Sequence, residues 1–426
     1  MRYRLLVSWT WFFLVLFSYY VLKPVRDALV TETRLYGPLY LATFLAVCAA
    51  LPLYWRIVAR TTRRQLVFGV YQFFVACLVV FVVLLARGYS DTVWLRNAFF
   101  VWVSVFNLYV VAVFWSVMAD LFSAEEGKTW FGAVAAAGTA GSIVASLVGG
   151  FVAQRLGLAW LMAAAILALE LSIVMAWLAL RQETRGSGEA PPSSGSLWAG
   201  LCTVLASRYL LMICAFTAIG KFAATFVYNN FQHALRAQGL GVEERTELFS
   251  AMNFYSQSGT LAFQALLAAA LMRFVGVGVT LAIACGVIVG QFAWLSVDAS
   301  VWTLMVAKVV QEIVGYGLLV PAQQVLFTVV SRAEKYESKA FVDTVVFRGS
   351  DVAAANLCDA LGRFSVSAVA LAILPLTGAW MVLGAWLGRE QAARARLADS
   401  KRASVPGALT DDCEQTGRCA SGESPG

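Results

Sequence analysis

The residues best suited to chemistry lie at the end of the first long apolar run, where Leu22 to Val30 reads L-K-P-V-R-D-A-L-V. Lys23 and Arg26 are one helical turn apart and Asp27 follows Lys23 by four residues, so a continuous helix sets all three on or beside one face. Cations so grouped neutralise anionic oxygens through charge-assisted hydrogen bonds, and Asp27 is a candidate gate partner. A charge at bilayer depth is costly unless it pairs or faces a water-filled path. Two readings follow. The trio lines a solute path inside a membrane bundle, or it is an outer flank with Lys23 snorkelling to the headgroups.

Other apolar stretches carry polar residues at the same spacing. Tyr19 extends the Lys23–Arg26 stripe, and Lys221, Thr225, Tyr228 and Gln232 form a second one, widened by Asn229 and Asn230. Asn253, Gln257, Thr260 and Gln264 make a third; Lys308, Glu312 and Gln323 lie along another stretch, and Asn356, Asp359 and Arg363 along the next. Each stripe alone can be helix-to-helix adhesion, and Lys308–Glu312 and Asp359–Arg363 can be self-neutralising pairs or gates. Lys221 has no acid within reach on its own helix, and several stripes together exceed what packing needs, which favours a shared aqueous cavity. Glu170 is the lone acid of its stretch: it can partner Lys221, carry a coupling proton, or sit protonated in packing. Arg96, with Asn107 eleven residues on, reads equally as a cavity cation or a flank.

The elements that must position these residues are membrane spans. The chain of 426 residues is 60% hydrophobic and 13% charged, with a mean hydropathy of +0.73, where soluble domains carry about 25% charged residues. Apolar runs of the required length, about 20 residues, fall near 5–30, 37–58, 65–86, 93–119, 131–153 and 158–180. Six more follow near 209–233, 248–271, 277–296, 301–329, 345–363 and 365–388. The expected fold is all-α, with two six-helix halves at 1–180 and 201–388, a Pro/Gly/Ser-rich linker at 181–200 and a disordered tail at 389–426. A weak repeat supports the halves: Ser123–Phe131 and Ser331–Phe341 both place Glu, Lys and then an aromatic before a span. Such halves, with solute bound between them, belong to secondary transporters.

The net charge of +7 is spread through the short links and forms no nucleic-acid patch. The basic links that contain Arg2, Arg60, Arg181 and Arg389 share one side, which predicts that both termini and the linker are cytoplasmic. The basic start and long first run read as an uncleaved first span. Eight scattered cysteines with no CxxC pair, and the single His233, predict no metal site, cofactor or disulfide framework. Gly138, Gly141, Ala145, Gly149 and Gly150 read as a close-packing stripe, with the seam between halves as its candidate place, and not as a phosphate loop. No nucleophile–base–acid set is legible, so chemistry on a substrate is the least favoured reading and no enzyme is expected.

Two resemblances add to this. Arg60, Arg63 and Arg64 fit the loop motif between spans two and three of the major facilitator superfamily, with Ala59 and Thr62 departing from it; Gly149-Gly150 fit the end of its fifth-span motif, where Ala145 and Ser146 depart. Leu22, Lys23, Arg26, Asp27, Leu29 and Val30 resemble the first-span pattern of the ATP/ADP translocase family, with Arg26 standing where that family has a functional Lys. Pro321–Asp351 resembles the same family's long signature, and the likeness spans roughly residues 5–388. It implies exchange of ATP for ADP, or carriage of other nucleotides, without hydrolysis, by a monomer in a bacterial inner membrane. Lys23, Arg26, Lys221, Arg96 and Lys308 would then hold phosphate; Tyr19, Tyr20 or Tyr228 would stack on a base, and Asn229, Asn253 or Gln257 would read its edge. Asp27, Glu170, Glu312, Asp359 and Arg363 would gate or couple. The alternatives are a proton-coupled carrier of another organic anion and a non-transporting membrane scaffold.

Overall fold

The computed structural model describes residues 2–89, 92–122, 124–181, 197–331, 334, 338–339 and 341–403. The first half consists of α1 (Arg2–Val30), α2 (Gly37–Arg60), α3 (Arg63–Ala86), α4 (Val93–Leu121), α5 (Ala124–Leu156) and α6 (Leu158–Arg181). Local chemistry explains the boundaries. Thr62 and Gln65 form a capping box that starts α3, and Gly157, at φ 86°, makes the turn into α6 that a side chain would strain.

A short helix, α7 (Leu197–Ala206), leads into the second half. There α8 (Arg208–Arg236) is followed by α9 (Val242–Phe263), which passes through a π turn (Gln264–Ala268) into α10 (Ala269–Phe274). Next come α11 (Gly276–Val297) and α12 (Val301–Val314), the latter joined by a π turn (Gly315–Leu319) to α13 (Val320–Leu326). A third π turn (Val342–Val346) opens α14 (Phe347–Leu361), and α15 (Val366–Ala403) closes the described chain. Ser300 caps α12. Beside it Asp298, outside the spans, is held below the usual carboxylate range by the Thr303 hydroxyl and by Ser300.

All twelve expected spans are present. Nine helices among the described residues are long and apolar enough to cross a membrane unaided. The other three spans are α2, α9–α10 and α14, and the last two owe their weaker signal to the polar residues they carry. The outer faces are lipid-like, with Phe73, Trp160, Leu167 and Leu371 exposed. One boundary differs from expectation: α15 runs unbroken to Ala403, where an Ala/Arg-rich tail was expected to be disordered from 389. Strong helix formers and the Arg394–Glu390 pair at 2.9 Å extend it, and the Arg394 guanidinium stacks on Tyr209, 4.4 Å from the ring centre. The expected linker from 182 to 196 and the tail beyond 403 lie outside the described residues.

The small-residue stripe of α5 serves two neighbours. Gly138 and Gly141 sit against Phe12 and Phe13 of α1 within the first half, so close that a Cβ has no room. Gly149 and Gly150 instead face Ser250 and Glu247 of α9, across the seam. The stripe therefore belongs to the seam only at its far end.

Candidate functional site

Between the halves lies a cavity of about 510 Å3. The first half contributes Tyr19, Tyr20, Lys23, Arg26 and Asp27 from α1, with residues of α2 and α4. The second contributes Lys221 and Tyr228 (α8), Asn253 (α9), Lys308 and Glu312 (α12), Tyr316 in its π turn, and Phe347, Arg348 and Asp351 (α14).

The charged residues fall into three groups. Lys23 donates to Asn253 Oδ1 at 2.7 Å and lies 3.6 Å from Glu312, which also pairs with Lys308 one turn away. This cluster joins α1 to α12 across the seam. Arg26 donates to its neighbour Asp27 through Nε at 2.9 Å and Nη2 at 2.6 Å, and its guanidinium covers the Phe100 ring at 4.8 Å. Tyr228 adds a hydroxyl donor to Asp27 at 2.9 Å. In the third group Lys221 is 3.4 Å and Arg348 3.7 Å from Asp351, which Thr225 also donates to. Lys221 stands over the Phe347 ring at 4.2 Å. Removing either partner of such a pair leaves a charge uncompensated in a poorly hydrated place, so the pairs also hold the helices in register.

At one end of the cavity the halves are pinned. Asp359 accepts from the backbone N–H groups of Tyr36 at 3.2 Å and Gly37 at 2.6 Å, which caps α2 with a carboxylate from α14. Glu32 bridges Arg245 and, at 3.9 Å, Arg236. Thr31 donates to Gln232 Oε1, Gln232 donates to the Asp27 carbonyl at 3.2 Å, and Gln154 of α5 bonds to Glu247 of α9. These links join the ends of α1, α2 and α5 to α8, α9 and α14.

The placements sort the expected residues. Lys23, Arg26, Asp27, Tyr19, Tyr228, Asn253, Lys221, Lys308 and Glu312 meet at the cavity. Gln257 does not line it: its amide donates to Tyr20 at 2.9 Å and accepts from Ser142 at 3.3 Å, so it joins α9 to α1 and α5. Asn229 is fully buried on α8 and is not among the lining residues. Arg96 sits half-buried in the first turn of α4, away from the lining. Glu170 is not the partner of Lys221. It lies between α3 and α6, accepts from Gln72 Nε2 at 3.0 and 3.2 Å, and is not among the cavity-lining residues, because it shares a face of α6 with exposed Leu167, Leu171 and Val174. Asp359 caps α2 and does not pair with Arg363, which stacks on Phe364 at 5.2 Å. The residues that the stripes missed are Arg348 and Asp351, three apart at the start of α14. Their spacing is the same signal that singled out Lys23 and Arg26.

No protein-family model matches the sequence, and a search of curated proteins finds no match. Solved structures do. The chain is similar to the nucleoside transporter NupG (TM-score 0.63, 12% identity, covering 90% of this chain and 98% of that one). It is also similar to the peptide transporter PepTSo of the POT family (TM-score 0.62, 10% identity, 94% and 99%). A third match is a bacterial homologue of the human lysosomal transporter Spinster in an inward-facing, unoccupied conformation (TM-score 0.56, 16% identity, 92% of each chain). At such identities the likeness is one of architecture. This chain is an integral membrane protein with the twelve-helix, two-halved fold of the major facilitator kind.

Proposed function

We propose that the chain is a secondary transporter of phosphorylated organic anions, nucleotides foremost, that works by exchange and alternating access. The observation that carries this reading is the convergence of Lys23 and Arg26 from the first half, and Lys221, Lys308 and Arg348 from the second, on one cavity between the halves. A cationic cavity that must be neutralised before it closes favours exchange over one-way release. The rings of Tyr19, Tyr20, Tyr228, Tyr316 and Phe347 supply flat surface for a base or another organic group. Proteins of similar fold include a nucleoside transporter and a peptide transporter, which agrees with transport as the activity and leaves the substrate to the residues of this cavity. With both termini taken as cytoplasmic, the links from Asp359 to α2 and from Glu32 to Arg236 and Arg245 fall on the external side and support an inward-facing arrangement. Arg26 holds Asp27 through Nε and Nη2, and its remaining N–H groups can meet a phosphate oxygen, as a guanidinium has five donors where a lysine is a point charge.

The test is counterflow in proteoliposomes. Preloaded unlabelled ATP, ADP or AMP accelerates uptake of the labelled nucleotide if the reading holds. Equal uptake into empty and preloaded vesicles rejects exchange, and no nucleotide flux by folded protein rejects the nucleotide substrate.

A further inference from the structure

The cavity's charge can be counted, and the count narrows the substrate beyond its chemical type. Five cations line it (Lys23, Arg26, Lys221, Lys308, Arg348) against three carboxylates (Asp27, Glu312, Asp351), a surplus of two positive charges. The surplus is divided. Arg26 and Asp27 neutralise each other. Glu312 is shared by Lys23 and Lys308, and Asp351 by Lys221 and Arg348, so each of these two clusters keeps one unmatched cation.

Resting on the transporter reading above, we propose that this site is built for an anion of net charge −2 that engages both clusters, one on α1 and α12 and the other on α8 and α14. Alternating access requires the loaded cavity to lose contact with water while the halves reorient. A net charge left over at that moment is stranded in low dielectric, and its self-energy grows with the square of the charge. A dianion leaves none. A substrate of higher charge carries an excess across, and a neutral one leaves both clusters unmatched. The first cluster already joins the halves through Lys23 of α1 and Glu312 of α12, and the second lies within the second half, so a dianion that bridges them ties α1 to α8 and α14 as well.

Nucleotides reach this charge in two ways, since a terminal phosphate with a second pKa near 6 gives AMP about −2, ADP about −3 and ATP about −4 at neutral pH. Free AMP has the matching charge, and ATP acquires it by binding one Mg2+. Titration of the purified protein with adenosine, AMP, ADP and ATP, each with EDTA and then with Mg2+, separates these sources. With EDTA, AMP is expected to bind at least tenfold more tightly than adenosine and free ATP, and Mg2+ is expected to tighten ATP and leave AMP unchanged. Free ATP or adenosine binding as tightly as AMP overturns the proposal.

Glu312→Gln and Asp351→Asn each raise the surplus to three and are expected to move the best free ligand from AMP to ADP. A folded variant of either kind that keeps the original order overturns it as well. A parallel series of glucose, glucose 6-phosphate and glucose 1,6-bisphosphate keeps the two readings apart. If adenine compounds fail to bind and the monophosphate still ranks first among the sugars, the nucleotide substrate is wrong and the charge rule stands. No binding in either series rejects the charge rule.

Discussion

The two halves share a helix count and differ in physical make-up. The first is built around an aromatic block: Trp11 meets Phe114 edge-on at 5.0 Å, Phe12 stacks on Phe114 at 4.4 Å, and Trp102 lies parallel to Phe106 at 5.3 Å. Its charged contribution to the cavity comes from one helix, α1. The second half interrupts its helices with three π turns, at Gln264–Ala268, Gly315–Leu319 and Val342–Val346. Two of these adjoin the site directly: Glu312 precedes Gly315 by one turn, and Phe347 and Arg348 follow Val346. A π turn leaves one residue over in the helical ladder, so the helix can change register locally at low cost. On the proposed transport reading, the contrast assigns one half a fixed charged edge and the other the places where a helix can shift against it.

Breaking the fixed edge is expected to have the largest effect. Lys23→Ala and Arg26→Ala each lower nucleotide exchange in proteoliposomes by about a hundredfold or more, the loss expected for a buried charged contact. Arg26→Ala also strands buried Asp27, so it costs about 3–5 kcal/mol of stability. The double change Arg26→Gln with Asp27→Asn recovers the melting temperature and not the flux; recovery of both would show that Arg26 only balances Asp27.

Next in size is Gly141→Val in the first half. With no room against the Phe13 carbonyl, it overpacks the α1–α5 contact and destabilises by about 1–3 kcal/mol, read as a lower melting temperature. A glycine at a π turn of the second half behaves differently. A Cβ on Gly315 meets nothing within 4 Å, so Gly315→Ala keeps or raises the melting temperature by favouring regular helix, by about 1 kcal/mol. It is expected to slow exchange several-fold with unchanged ligand affinity, and unaltered turnover would remove the π turn from the moving parts. The smallest effect belongs to Glu170→Gln. Bonded to Gln72 away from the cavity, it leaves exchange rate and pH profile within about twofold, as surface changes do. A lost pH-gradient dependence would instead return Glu170 to a coupling role.

Much of this was legible in the chain itself. An apolar run of spanning length is a local property, so the twelve spans follow from residues read in order. Helical spacing likewise marks which residues share a face, and that placed Tyr19, Lys23 and Arg26 together on α1 and Lys308 with Glu312 on α12. It also misled where a stripe was continuous and its surroundings were not: Gln257 shares the stripe of Asn253, yet its neighbours are Tyr20 and Ser142.

What the sequence determined, then, is each helix and its wet side, because hydrophobic length and a period of 3.6 residues need no partner to be defined. The tertiary structure alone decided which acid answers which cation: Asp351 for Lys221 across α14 and α8, Glu312 for Lys23 across α12 and α1, and backbone N–H groups of α2 for Asp359. It also turned Glu170 outward and gave the cavity its divided surplus of charge. Those pairings depend on how helices far apart in the chain are rotated and set in depth against one another, and no spacing within a single helix contains that information.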